Sequence, residues 1–234
     1  MHLRTKHRLR LIASSIILVA LLLSLFIPRP MPNTPTARMK QEPIQLPTGA
    51  TQFIAQTQRT NYYVKPLYQY ELNGLVVSMS KPREHYMADI DNDFKAVDLC
   101  VVFGDNLINN LYRSLTFRNG DFTCFISTDD YSIWRQFNME HISNNHLITN
   151  DPAMVKRLRN IKIGDQVTIK GYLAEYGFEN GRLIRGSSTV RNDTGNGACE
   201  TIFVQHLHVE KAPTDYRLGL RIGLILLLIV LFIL

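Results

Sequence analysis

The residues able to do chemistry crowd into two short stretches, "HISNNHLI" at 141–148 and "RNDTGNGACE" at 191–200. His141 and His146 offer general bases, Asp193 an orienting carboxylate, and Ser187, Ser188 or Cys199 a nucleophile, a set that would serve a hydrolase. The surrounding sequence does not support that set. There is no nucleophile elbow and no papain-like cysteine context, and the glycines of "DTGNG" neither follow a strand-to-helix pattern nor open a helix that could cradle phosphate. A binding loop is the better functional expectation, drawing on His141, Asn144, Asn145, His146, Arg185, Arg191, Asp193 and Asn196. The same residues also have a purely local explanation. Asn144 and Asn145 can satisfy backbone groups in a turn, Gly195 and Gly197 permit positive φ, and Asp193 and Asn196 can cap the connection. Arg185, Arg191 and Asp193 could order the loop as an ion pair.

Metal and sulfur chemistry are bounded by spacing. His206 and His208, two residues apart, share a strand face as metal ligands do. No third ligand is assigned to them, and neither a metal nor a cofactor is expected. The three cysteines, Cys100, Cys124 and Cys199, are odd in number and lack CxxC spacing, which disfavours a structural zinc site. Cys100 lies in "DLCVVF", where a buried thiol is ordinary. Cys124 and Cys199 stand near polar loops, and the expectation is a Cys124–Cys199 disulfide in an oxidising compartment, or three thiols in a reducing one.

Strands must position these groups. "YQYELNGLVVSMS", "KAVDLCVVFGD" and "DFTCFIST" are rich in β-branched and aromatic residues between polar turns. Asp151 before Pro152 marks a helix start, with Met154, Val155 and Leu158 facing inward. "KIGDQVTIKGYLAEYGF" then alternates Val167, Ile169 and Leu173 against Thr168, Lys170 and Tyr172, followed by "RLIRGSSTV" and "CETIFVQHLHV". The predicted fold is mainly β, a small barrel with one short helix, spanning 62–210. No repeat or heptad run is present.

The apolar residues concentrate at the two ends. Residues 11–27 contain no charge and would extend roughly 25 Å as a helix, behind a basic tail at 1–10 carrying Arg4, Lys6, Arg8 and Arg10. An uncleaved anchor with the tail in the cytoplasm is expected, a cleaved signal being the alternative. A second apolar segment, 218–234, is of marginal length, and Arg221 would have to snorkel for it to span. Two spans would form a hairpin with the domain outside, although basic residues on the domain's own side argue the other way. Residues 28–61, with six prolines in their first twenty positions, read as an extended spacer. Ten of the 26 basic residues behind the net charge of +6 flank the apolar segments, so membrane lipid is the expected partner, with other envelope proteins beside it and nucleic acid disfavoured.

Two resemblances attach to these residues. Gly164, Asp165, Val167, Ile169, Gly171 and Leu173 resemble a strand of OB-fold and related small barrels. "SNNHLI", "GDQVTIKGYL" and "DTGNGACE" are similar to stretches in bacterial membrane-anchored proteins. That resemblance implies a bacterial inner-membrane setting and implies no activity; the placement of the domain outside the cytoplasm, in the periplasm, rests on the basic tail before the first apolar segment. The expectation is a binding or structural module of the cell envelope. The alternatives are a hydrolase using the region of His141, His146 and Asp193, or a cytosolic nucleic-acid-binding barrel, for which only Lys170, Tyr172 and Arg182 offer basic and aromatic residues.

Overall fold

The computed structural model of the chain describes residues 2–27, 30, 31, 34–81, 93–120, 123–193, 195 and 197–233. They fall into two compact units, Met1–Pro30 with Pro213–Leu234, and Met31–Ala212. Helix α1 (His2–Ser24) opens the first unit. Among the described residues it alone is long and apolar enough to cross a membrane, over Thr5–Ser24. It begins upstream of the apolar run and carries Arg8 and Arg10 within it.

The second unit is mainly β. Its strands are β1 (Ile44–Pro47), β2 (Phe53–Gln56), β3 (Asn61–Ser80), β4 (Lys95–Val102), β5 (Thr116–Gly120), β6 (Thr123–Ser127), β7 (Ile142–Ile148), β8 (Gln166–Phe178), β9 (Leu183–Arg185) and β10 (Glu200–Lys211). Short helices α2 (Asp105–Ile108), α3 (Tyr131–Gln136) and α4 (Pro152–Arg159) punctuate them. One large mixed sheet contains a closed circuit of pairings: β3 with β4, β4 with β7, β7 with β10, β10 with β8, and β8 back to β3. Only β7–β10 is parallel; the other four are antiparallel. β1 and β2 add to β3, β9 adds to β8, and β5–β6 form a separate hairpin.

The circuit encloses the largest core. Val167, Ile169 and Leu173 of β8 pack with Leu72 and Val76 of β3, Leu99 and Val101 of β4, and Ile202, Val204 and Leu207 of β10. Helix α4 closes one side of it. The Asp151 carboxylate accepts from the Ala153 N–H at 2.8 Å, Pro152 occupies the first turn, and Met154 and Leu158 are buried while Val155 packs at the margin. A glycine lets β8 and β10 meet. A Cβ on Gly171 would stand 1.9 Å from the Phe203 carbonyl oxygen, beside the bulge at Val204/His206. A second cluster is aromatic, with Tyr62 stacked on Phe94 at 4.7 Å and its hydroxyl donating to Asp93 Oδ1 at 2.7 Å.

Several expectations differ from what is found. Three short α-helices stand where one was expected, because α2 and α3 are only four and six residues long, too short for an apolar periodicity to mark them. The stretch at 28–61 is not a bare spacer from Met31 onward. Thr36 N–H donates to Gln166 Oε1 at 2.7 Å, Met39 is fully buried beside Leu75 and Val77, and residues 44–47 and 53–56 are edge strands. Proline lacks a ladder donor, which suits an edge position, so a proline-bounded strand hid in spacer-like composition. "HISNNHLI" is not a turn either: it supplies β7, a strand paired on both sides.

Helix α5 (Arg217–Ile233) completes the first unit. Its 17 residues pack along α1. Arg221 Nη2 donates to the Ser24 carbonyl at 2.9 Å and Arg217 Nη1 to the Ile27 carbonyl at 3.4 Å. The arginine expected to reach for headgroups instead meets carbonyls left open where α1 ends.

Candidate functional site

On β7 the pleat sends alternate side chains to opposite faces. Leu147 enters the core, and Asn145 with it is fully buried, its amide donating to Leu99 O at 3.2 Å and Ser143 Oγ at 2.8 Å. Asn144 and His146 take the outer face, where His146 stands opposite Asp98, and Asn144 opposite Cys100, on β4. His146 Nδ1 lies 2.8 Å from Asp98 Oδ1, and Lys95 Nζ lies 3.0 Å from Oδ2. Burial alone would raise the Asp98 carboxyl, but the His146 hydrogen bond and the Lys95 charge hold it below its ordinary value. Burial lowers His146 against the opposing pull of Asp98. At neutral pH the pair is therefore carboxylate and neutral imidazole, with Nδ1–H donating.

The hairpin β5–β6 is tied to this face by a disulfide between Cys100 and Cys124, with Cα atoms 5.8 Å apart. This replaces the expected Cys124–Cys199 pairing. Cys100 is buried, but it is on the outer face of β4 with the hairpin against it, so burial did not mean an unoxidised thiol. Cys199 keeps its thiol, which receives the Asn144 amide at 3.5 Å. Burial pushes this thiol up, and the Asn144 hydrogen bond pulls it partly back.

Between β7, the hairpin and the loop entering β10 lies a cleft of about 460 Å³. Ile126, Met139, Ile142 and Val190 make it apolar; Asn144, Arg185, Arg191, Asp193 and Glu200 make it polar; and Cys124 and Cys199 both face it. The loop is anchored at several points. Arg191 pairs with the Glu200 carboxylate, donates to the Tyr70 hydroxyl, and lies over the Tyr70 and Phe103 rings at 5.4 and 5.5 Å. Ser188 Oγ donates to Asp193 Oδ2 at 2.6 Å, Ser188 N–H to Cys199 O at 2.9 Å, and Thr201 N–H to Ser187 Oγ at 3.0 Å. Gly195 and Gly197 take φ of 83° and 101°, the positive values expected of them. Asn196 lies outside the described residues. Glu200 is 4% exposed, and burial pushes its carboxyl up to about 7 against the pull of Arg191. Among the described residues its Oε2 meets no hydrogen-bond donor.

Asn144, Arg185, Arg191 and Asp193 thus come together in one cleft. His146 is buried, with Arg185 among the charges acting on it. Asn145 belongs to the core. His141 is elsewhere, accepting the Asp105 N–H on Nδ1 at 2.9 Å and pairing through Nε2 with Glu42. His141, His146 and Asp193 share no partner: His141 meets Asp105 and Glu42, His146 meets Asp98, and Asp193 accepts from Ser188. On β10, His206 and His208 are exposed, and His208 is 3.9 Å from Glu210. Among the described residues no group of three His, Cys, Asp or Glu is placed to hold a metal. The sequence reading missed Asp98 and Glu200, although a lone acid in an apolar strand, as in "KAVDLCVV" and "ETIFV", signals a buried partner. Compared with known proteins, the chain matches no family model, no curated protein and no solved structure.

Proposed function

We propose that the chain is a membrane-anchored binding module of the bacterial cell envelope, an OB-like small barrel held outside the cytoplasm by α1, with α5 as a second span. The carrying observation is where the cleft lies. Counted in chain order, β4 and β7 are the second and third strands of the closed circuit, and the loop at 186–199 leads into the fifth, β10; in OB-type barrels the second and third strands and the loop between the fourth and fifth bind ligand. The one parallel pairing, and α4 between the third and fourth strands, support the same reading.

The anchor and its basic flank favour the inner membrane, and the disulfide favours an oxidising compartment. Membrane lipid is then the partner of the anchor, and envelope components that of the cleft. Arg185 and Arg191 share the cleft with Asp193 and Glu200, a balance of charge that suits a neutral polar ligand better than a nucleic acid strand. No reaction is assigned.

Two measurements test this. Reporters at Thr36 and after residue 234 should lie on opposite sides of the membrane; the same side for both refutes the hairpin. Thermal shifts against glycan oligomers, short peptides and single-stranded oligonucleotides should find a ligand whose effect is lost in Arg185→Ala. A ligand at 100 times its Kd adds about 2.7 kcal/mol. A shift that survives Arg185→Ala moves binding away from the cleft, and the absence of any shift refutes the reading for these ligand classes.

A further inference from the structure

The geometry points to an intramolecular thiol–disulfide exchange centre in the cleft, in which Cys199 displaces Cys100 from Cys124. β4, β7 and β10 are neighbours in the sheet, and Cys100, Asn144 and Cys199 stand in one row across their outer face. Cys100 is the register partner of Asn144, and Cys199 directly precedes Glu200, which pairs with Asn145. Adjacent strands are ~4.8 Å apart, so the two cysteines stand on the order of 10 Å from each other, one on each side of Asn144.

Cys124 belongs to the hairpin that lies against this row, and it faces the same cleft as Cys199. Asn119, the register partner of Cys124, donates to Asn144 Oδ1 at 3.2 Å, and the Asn144 amide in turn donates to Cys199 Sγ at 3.5 Å. The hairpin is therefore pinned at the middle of the row. From there Cys124 already reaches Cys100 with a Cα separation of 5.8 Å. The exchange requires the same of the other end, a Cys124–Cys199 Cα separation within the roughly 4.4–6.8 Å that a disulfide tolerates.

The exchange needs no oxidant or reductant. The Cys199 thiolate attacks Cys124 Sγ, the sulfur that faces the cleft, while Cys100 is fully buried. The Cys124–Cys199 bond forms, the Cys100–Cys124 bond breaks, and the electron pair leaves on Cys100 Sγ, which takes up the proton that Cys199 released. One disulfide and one thiol stand on each side of the equation. The charges acting on Cys199 come from three elements: Glu200 of β10 and Asp98 of β4 disfavour the thiolate, and Arg185 of β9 favours it. Arg191 and Asp193 of the loop line the same cleft. Burial dominates, so exchange is slow at neutral pH and quickens as the pH rises. Its consequence is mechanical: the hairpin is re-tied from β4 to the start of β10, across the mouth of the cleft. This inference does not depend on any ligand.

Label migration in the native full-length protein, kept in mild detergent, decides the matter. The protein is held at about pH 9, where the thiolate is favoured, then acid-quenched, denatured and labelled with maleimide. At the start the label sits on Cys199. With time at least about a tenth should appear on Cys100, the share expected of isomers within tenfold of each other in stability. Label that stays wholly on Cys199 overturns the proposal. In Cys100→Ser, treated with oxidised glutathione, peptide mapping should show a Cys124–Cys199 bond and at least about a tenfold loss of maleimide labelling at both positions. Two fully labelled cysteines, in protein whose circular dichroism matches the native chain, also overturn it.

Discussion

Glu200→Gln should remove a pH dependence of stability whose sign and size follow from the cleft. Glu200 is buried, and its carboxyl is pushed from 4.5 up to about 7, burial outweighing the Arg191 charge. A carboxyl raised in this way keeps its proton in the folded state where the unfolded chain has lost it. Its stabilising contribution is full below 4.5 and is lost as the pH rises through about 7. The gap between those values, at 1.36 kcal/mol per pH unit, is worth about 3 kcal/mol. His146, lowered by burial, works in the opposite direction in part of the same window, because the unfolded chain takes up the proton that the folded one refuses. The quantity to follow is thus the difference between native and Glu200→Gln proteins, in which the His146 contribution cancels. Glutamine keeps the shape and leaves Arg191 an acceptor. Urea unfolding can be read from the single tryptophan, Trp134, which stacks on Phe137 at 6.3 Å. Between pH 5 and 8 the native protein should lose about 3 kcal/mol relative to the variant. A difference that stays flat, or that grows in favour of the native protein as the pH rises, refutes the buried-carboxyl argument.

Three further outcomes are expected. Gly171→Ala forces a Cβ onto the Phe203 carbonyl oxygen at 1.9 Å, and should cost about 1–3 kcal/mol in urea unfolding, with a loss of the β10–β8 amide protection seen by hydrogen exchange. Asp98→Asn leaves Lys95 and His146 without their shared carboxylate and should cost about 3 kcal/mol at neutral pH. Because Asp98 is held below 3.8, its contribution is present above that value and is lost as the pH falls through its folded value; acid titration of the variant should be correspondingly flatter. Reducing the Cys100–Cys124 bond, which spans a sequence separation of 24, should lower stability by about 3 kcal/mol, measured as the shift in urea midpoint with and without reductant.

What the sequence revealed depended on where each residue's partner lay. β8 was legible because Val167, Ile169 and Leu173 alternate with polar neighbours, and a buried face needs no more than that to be seen. The start of α4 was legible because Asp151 and Pro152 act on their own turn. β7 was not: Asn144, Asn145 and His146 look like turn residues until Asn119, Leu99 O and Asp98, all far along the chain, satisfy them respectively. The cysteines failed for a related reason. Three of them allow three pairings, and only the register of β4 against β7 and the place of the hairpin select Cys100. Within the cleft, Arg191 and Asp193 were found by their type, whereas Glu200 required knowing that its strand enters the core.

The closed circuit of strands also sets when folding can finish. Its longest seam joins Tyr62 to Phe178, and its last strand, β10, ends at Lys211, six residues before α5 begins. Contacts so distant along the chain must bear their loop-closure entropy before any of them contributes, which makes such topologies slow to fold. A chain emerging from N-terminus to C-terminus can form the antiparallel run of β3, β4 and β7, but it cannot close the ring until β10 inserts between β7 and β8. Until then β7 and β8 each present an open edge. Synthesis of α5 therefore follows directly on the strand that closes the circuit, and from the making of β7 until β10 inserts the unfinished sheet is exposed to pairing with other chains.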